Sequence, residues 1–396
     1  MRILFVTSLK YTDICGVITH MKNLMNGLKQ LYHDVDYVTL SSIPKSIQIF
    51  VISFPTTLIK RISPDFRWMF KIILIDILFS FFILFKQLKN GYDIINVQDE
   101  MVYHSLFLVR KIFKVPVIVT AHSYVYDTLG GRNIKNSLVE QFFVNSFRHT
   151  YDRVDRIVAV DSRIKEHIVT NYNILPQKII ISKNFVDVDE FKPRTGKKMF
   201  RDMFGLPKNK FIVLCPRRLT KKNGVIYPAI ACRYIKNKLN DDFILVYTGK
   251  GGTEGITIEN IAHKDGVSQN IIFLGNVTHD KMKYLFNASD VVIIPSVNFK
   301  GLEEATSLSA LEAMSSGIPT IASNIGGLKE IIKNNETGYL IEEKSPKEIA
   351  KKIYEVYTED QNRIIENARH FVVKECSHIK RAKEFLKWYV EIIRNR

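Results

Sequence analysis

Cysteine is scarce in this chain: Cys15, Cys215, Cys232 and Cys376 are the only four in 396 residues, with no C-x-x-C pair and no regular spacing. That scarcity argues against a disulfide framework or a structural zinc site, and it fits a reducing cytosol. Internal repeats and low-complexity tracts are missing as well. Negative charge is in short supply, with 40 acidic residues against 57 Lys and Arg, a formal net charge of +17. The excess is spread over both halves, so it biases the whole molecule toward anionic partners: nucleotide phosphates, an anionic membrane leaflet or nucleic acid. Nucleic acid is set aside, because neither an RNA-binding aromatic signature nor a basic arm occurs. The opening segment MRILFVTSL lacks the apolar length of a signal peptide and reads as a first strand.

What is present is an ordinary globular composition, 46% hydrophobic and 24% charged, in a chain long enough for two cores. Short β-rich runs at 3–7, 36–40, 94–98, 115–120 and 156–160 alternate with helical stretches, the pattern of a parallel α/β sheet. Around residues 191–198, FKPRTGKK, polarity, Pro and Gly break the rhythm and mark an interdomain linker. The alternation then restarts at 211–215, 243–248, 271–274, 291–296, 320–323 and 336–341, which predicts a second parallel sheet. The expected domains are 1–191, joined by a C-terminal helix over 378–396, and 199–377.

Residues 68–85, WMFKIILIDILFSFFILF, are interrupted by Lys71 and Asp76. Spanning a bilayer takes about 20 apolar residues, and a midspan Asp is costly there. On a helical wheel Asp76, Ser80 and Gln87 fall on one narrow stripe, so the helix is buried in a core, docked on lipid or spanning. Lys60, Arg61, Arg67, Lys86 and Lys89 around it suit an anionic interface.

The densest chemistry lies in residues 302–327, LEEATSLSALEAMSSGIPTIASNIGG. Glu304 and Glu312 stand eight positions apart, which on a helix is about 12 Å along one side. Carboxylates accept hydrogen bonds from vicinal hydroxyls, so one could hold a sugar and the other a ribose. Thr306, Ser307 and Leu308 between them would open a helix whose free N–H groups favour a phosphate. The small residues of SSGIP and SNIGG bring backbone close to something.

Other stretches point the same way. Gly16, after Cys15, opens a helix in SLKYTDICGVITHMKNL, with His20 following; His122 in TAHSY stands just past a strand end; CPRRLTKKNGV follows the first strand of the second sheet; NFVDVDEFKP carries Asn184, Asp187 and Phe191. Together these motifs resemble the family 4 retaining glycosyltransferases, and the resemblance runs along nearly the whole chain. It implies the GT-B fold, two Rossmann-like doubly wound domains facing across a cleft. It also implies a nucleotide-diphosphate sugar as donor, while the basic surface and the 68–85 helix point to a glycan or lipid-linked acceptor, in a cytoplasmic polysaccharide pathway at the inner face of the cell membrane.

By this resemblance Gly16 presents backbone N–H groups to the diphosphate or acceptor, and His122 faces the reacting sugar. Arg218 and Lys222 stabilise charge on the departing β-phosphate, although Lys221 adjoins Lys222 and the spacing is one short of the commonest form. Glu304 holds sugar hydroxyls and Glu312 the ribose. Asp187 and Asp189 spell a D-x-D, the metal motif of another glycosyltransferase fold, but their place at the linker argues against that use. No metal and no cofactor are expected. With no designated nucleophile, a front-face substitution with retention is expected of a hexosyltransferase. The competing readings are a sugar-nucleotide epimerase or phosphorylase on the same fold, and a non-catalytic nucleotide-sugar or membrane-binding protein.

Overall fold

The computed structural model describes residues 1–13, 15–58, 63–122, 137–249, 253–299, 301 and 303–395; Lys60 and Arg61 lie outside the described residues. The chain forms two compact units, Met1–Lys183 with Arg381–Arg396, and Asn184–Lys380. Five helices matter below: α1 (Gly16–Gln30), α2 (Pro64–Asn90), α3 (His279–Ala288), α4 (Leu308–Ser315) and α5 (His378–Arg394).

The first unit holds six parallel strands, β1 (Arg2–Val6), β2 (Asp34–Val38), β3 (Ile94–Val97), β4 (Val117–Ala121), β5 (Arg156–Ala159) and β6 (Ile179–Ile181). They lie in the order β2-β1-β3-β4-β5-β6. Every residue of β3 and β4 is buried, as expected of central strands covered on both faces, which read as continuous apolar runs. The order reverses between β1 and β3. At their ends Asp99 accepts from the Thr7 hydroxyl at 2.6 Å and the Ser8 N–H at 2.8 Å. Strand β6 is an addition to the sequence expectation; three isoleucines after a proline turn are too short a run to signal by period alone.

The second unit repeats the plan with β7 (Phe211–Cys215), β8 (Phe243–Tyr247), β9 (Ile271–Phe273), β10 (Val291–Ile294), β11 (Thr320–Ser323) and β12 (Tyr339–Ile341). Their order, β12-β11-β10-β7-β8-β9, is parallel throughout and reverses between β7 and β10. In open α/β sheets such a reversal leaves a crevice beyond the strands' carboxyl ends, where ligands bind. The two sheets and their strand orders are those of the GT-B architecture.

The division between units falls earlier than the sequence marked it. Residues 184–198 belong to the second unit, because Val186, Val188 and Phe191 are buried in its core. Val186 also bridges to Ser377, just before the chain leaves that unit. Polarity and Pro had marked 191–198 as linker, but the side chains that decide the matter are the apolar ones preceding it.

Helix α2 is opened by Ser63, whose hydroxyl accepts from the Asp65 N–H, and closed by Gly91 at φ 60°. Ile75, Phe79 and Ile83 are buried in the first unit's core, while Ile77, Phe81 and Phe85 are 48%, 61% and 66% exposed. Side chains two positions apart on a helix lie about 200° apart, so the helix is buried along one face and bare along the other. Asp76 sits at the edge of the buried face. Burial, with Asp99 nearby, pushes its carboxyl up to about 8, and its Oδ1 has no hydrogen-bond partner among the described residues.

In the folded chain Asp76 therefore keeps its proton up to about pH 8, while the unfolded chain releases it near the ordinary carboxyl value of 3.8. Stability falls as pH rises through that window. Asp76→Asn is expected to melt about 5 °C above the wild type at pH 8, with the gap narrowing toward pH 5. A gap independent of pH in scanning calorimetry would refute the assignment.

Candidate active site

At the reversal point of the second sheet, the chain leaving β7 places Arg217 in a nearly buried pocket. Its Nη2 donates to Glu304 Oε2 at 2.6 Å, Asn223 Oδ1 at 2.7 Å and Ser296 Oγ at 3.1 Å, and its Nη1 reaches Ser307 Oγ at 3.4 Å. The side chains of Arg217 and Glu304 are 11% and 13% exposed. Ser296, which follows β10, also donates to Glu304 Oε2 at 3.2 Å. Burial alone would raise the Glu304 carboxyl; the Arg217 guanidinium, with the Lys222 ammonium and the Ser296 hydroxyl, outweighs it and holds the group below its ordinary value. Glu304 is accordingly a carboxylate at neutral pH.

The sequence had favoured Arg218, which is exposed; the arginine beside Glu304 is its neighbour Arg217. Arg217 also supplies the one residue of spacing to Lys222 that Arg218 lacks. Lys222 is half-buried and its charge acts on Glu304, whereas Lys221 is exposed. Two glycines hold this pocket's walls. Gly224 adopts φ +61°, and a Cβ there would lie 1.9 Å from the Pro295 oxygen. A Cβ on Gly327 would lie 2.5 Å from Thr306 N and 2.6 Å from Ala305 C, and the Gly327 N–H donates to the Glu304 carbonyl at 2.8 Å. The backbone that SNIGG approaches is thus the loop carrying Glu304.

Glu304 lies in that loop, ahead of the helix, so the 12 Å helical spacing to Glu312 does not apply. Helix α4 begins at Leu308, with Ser307 extended before it and giving no side-chain cap. Its first N–H groups are left for another acceptor. Thr306 is buried, its carbonyl accepts from Asn184 Nδ2 at 2.7 Å, and its hydroxyl has no partner among the described residues, nor has Arg217 Nε. Two buried donors and an uncapped helix start make this pocket suited to an anion. Glu312, one turn into α4, is buried and pairs with His279 Nε2 at 2.8 Å, at the first residue of α3. It is not part of the Arg217 cluster, and His279 was not singled out in the sequence.

Asp187 Oδ1 accepts from the N–H groups of Asp189 and Glu190, each at 3.0 Å, which shapes the turn after Asn184. The buried His378 ring stands 3.7 Å from Asp187 and 3.8 Å from Asp189.

In the first unit His122 follows β4, and its Nε2 lies 3.1 Å from Gln98 Oε1. Gln98 Nε2 donates to Asn96 Oδ1 at 2.6 Å, and Asn96 Nδ2 donates to the Tyr389 hydroxyl of α5 at 2.6 Å. This chain sets the Gln98 amide so that its oxygen faces His122. The imidazole then carries its proton on Nε2 and offers Nδ1 as an acceptor. Burial, aided by His20 edge-on at 4.6 Å, lowers the His122 pKa well below its ordinary value, so the ring is neutral. Asn96, Gln98 and Tyr389 were not picked out from sequence as site residues; their signal is that Asn96 and Gln98 share one face of β3 and its extension. Gly16 is the exposed first residue of α1, preceded by extended Cys15 with no side-chain cap.

Two family models match the chain: Glycosyltransferase Family 4 over residues 14–190 and Glycosyl transferases group 1 over residues 197–371. The chain belongs to the family 4, group 1 glycosyltransferases. It is 28% identical over 384 residues to an uncharacterized glycosyltransferase of Methanocaldococcus jannaschii, covering 94% of each. It is 27% identical over 320 residues to the UDP-Gal:alpha-D-GlcNAc-diphosphoundecaprenol alpha-1,3-galactosyltransferase of Escherichia coli, covering 79% of each. A glycosyltransferase crystal structure from Rickettsia africae superposes with a TM-score of 0.74 at 21% identity, covering 100% of this chain and 99% of that one.

Gly327→Ala must displace the loop carrying Glu304, at a cost of about 1–3 kcal/mol. Nucleotide-sugar affinity is expected to fall about tenfold by calorimetry, and an unchanged affinity would show that the loop does not shape the pocket. For His122, imidazole NMR should show the Nε2–H tautomer from pH 8 down to pH 6 in the wild type. In Gln98→Leu the two tautomers should mix.

Proposed function

We propose that this glycosyltransferase moves a hexose from a nucleoside-diphosphate sugar, with UDP as the nucleotide, to a glycan or lipid-linked acceptor, retaining the anomeric configuration and using no metal. The observation that carries the reading is the buried Arg217–Glu304 pair, with Lys222 beside it and the uncapped start of α4 adjoining. An anionic diphosphate needs compensating positive charge, and here Lys222, Arg217 Nε and the free N–H groups of α4 supply it without an ion. The choice of UDP and of a lipid-linked acceptor is supported by the name of the Escherichia coli relative.

In the proposed step the bond from the anomeric carbon to the β-phosphate oxygen breaks, and its electron pair stays on the phosphate. The acceptor hydroxyl attacks the same face and passes its proton to that phosphate oxygen, releasing the nucleoside diphosphate. Lys222 and Arg217 stabilise the charge gained by the leaving group. Arg218 is exposed on the same turn, and its side chain is available to the diphosphate. Glu304 accepts from sugar hydroxyls and Thr306 donates its unpaired hydroxyl. Ser307 and Leu308 present backbone N–H groups, and Glu312, oriented by His279, accepts from the ribose. In the first unit the neutral His122 accepts a sugar hydroxyl at Nδ1, and Gly16 exposes the N–H groups of α1. A cytoplasmic setting is part of the proposal, supported by four cysteines that form no C-x-x-C pair and no regular spacing.

Lys222→Ala is expected to lower kcat for UDP-sugar turnover by about a hundredfold or more while leaving the melting temperature within a degree or two. EDTA is expected to leave the wild-type rate unchanged. A product with inverted anomeric configuration, or a covalent sugar adduct on Glu304, would overturn the front-face step.

A further inference from the structure

We propose that the bare face of α2 docks in the plane of an anionic phospholipid surface. Half of the large apolar side chains that stand exposed among the described residues fall between positions 49 and 113, a concentration where scattered single residues would be ordinary. Along α2 they form one stripe, Ile77, Phe81, Phe85 and Leu88, the last also 66% exposed. The short segments before α2 pack against it and add Phe50 and Phe54, 74% and 60% exposed.

The opposite stripe, Ile75, Phe79 and Ile83, belongs to the core of the first unit. Although α2 is long and apolar enough to cross a membrane, leaving that core would uncover the apolar side chains that these three now cover. The helix therefore lies along a surface, sinking its bare stripe below the headgroups.

Charge selects the occupant. Residues 45–92 hold seven basic side chains, Lys45, Lys60, Arg61, Arg67, Lys71, Lys86 and Lys89, and two acidic ones, Asp65 and Asp76, so 7 − 2 gives a formal +5; of the seven, Lys86 is paired with Asp36 at 2.6 Å. The retained proton on Asp76 removes one of the two negative charges. Lys71 and Lys89 are exposed near the ends of the apolar stripe. A second copy of the chain would bring two such basic segments together, whereas an anionic headgroup layer neutralises them, each cation near the surface adding to the attraction.

The test uses the full-length protein with vesicles of phosphatidylcholine alone or mixed with phosphatidylglycerol, read by cosedimentation. Binding is expected to the mixed vesicles and to weaken with salt. Lys71→Glu/Lys89→Glu should reduce it at least tenfold. Phe81→Ser/Phe85→Ser should abolish it while UDP-sugar hydrolysis stays intact, since these exposed side chains serve no core. In Phe81→Trp, lipids brominated on the acyl chain should quench the new fluorescence. Failure to sediment with mixed vesicles, or undiminished binding by the double serine variant, would overturn the proposal. So would equal binding to both vesicle types, or a dimer in light scattering that the serine variant dissolves, which would make the face a contact between copies.

Discussion

An arginine cannot shed its charge inside a protein, and Arg217 is nearly buried; that constraint organises the second unit's functional end. Its guanidinium has to be surrounded by acceptors, and they arrive from three separate stretches: Asn223 from the turn after β7, Ser296 from the end of β10, and Glu304 with Ser307 from the loop before α4. Those stretches meet because β7 and β10 are neighbours where the strand order reverses. Stripping away one partner of such a pair leaves the other charge stranded, at a cost of about 3–5 kcal/mol. The pocket's shape and its electrostatics are therefore one property. Gly224 and Gly327 serve it by letting backbone approach where any side chain would collide.

The alternation of apolar runs with helical stretches was enough to place eleven of the strands, because a doubly covered parallel strand is apolar at nearly every position and stands out from what surrounds it. Strand β6 escaped, although β9 and β12, equally short and at sheet edges, did not. The helix start at Leu308 was legible from the small polar residues before it. Glu304's position ahead of the helix was not, since period alone cannot say where a loop ends. The inward turn of Arg217 meets the same limit: adjacent side chains leaving a strand end point in different directions, and only the fold decides which one turns inward. His279 and Gln98 were hidden for another reason. Each matters through a partner far away in the chain, at Glu312 and at His122.

The apolar stretch at 68–85 leaves three fates open on composition alone, and the fold gives the helix two unlike faces. A stripe through Ile75, Phe79 and Ile83 satisfies the core, and what remains is an apolar surface that stands exposed among the described residues. Asp76 is tolerated on such a helix because burial keeps its proton in place, so the segment carries less negative charge than its sequence implies.

The two sheet edges solve opposite electrostatic problems. In the first unit the polar groups at the strand ends are mostly neutral: Asn96, Gln98 and the Tyr389 hydroxyl form a hydrogen-bonded line to an unprotonated His122. Even the neighbouring acids are pushed toward neutrality by burial, Asp99 upward despite its donors and Glu100 up to about 7. In the second unit the strand ends carry full charges, compensated by one another and bordered by an uncapped helix start. Sugar hydroxyls are recognised by neutral donors and acceptors of fixed orientation, whereas a diphosphate needs positive charge held in place. On the function proposed above, the same parallel-sheet plan gives one edge of neutral groups suited to hydroxyls and another of charged groups suited to phosphates, and the difference rests on which few side chains each reversal point receives.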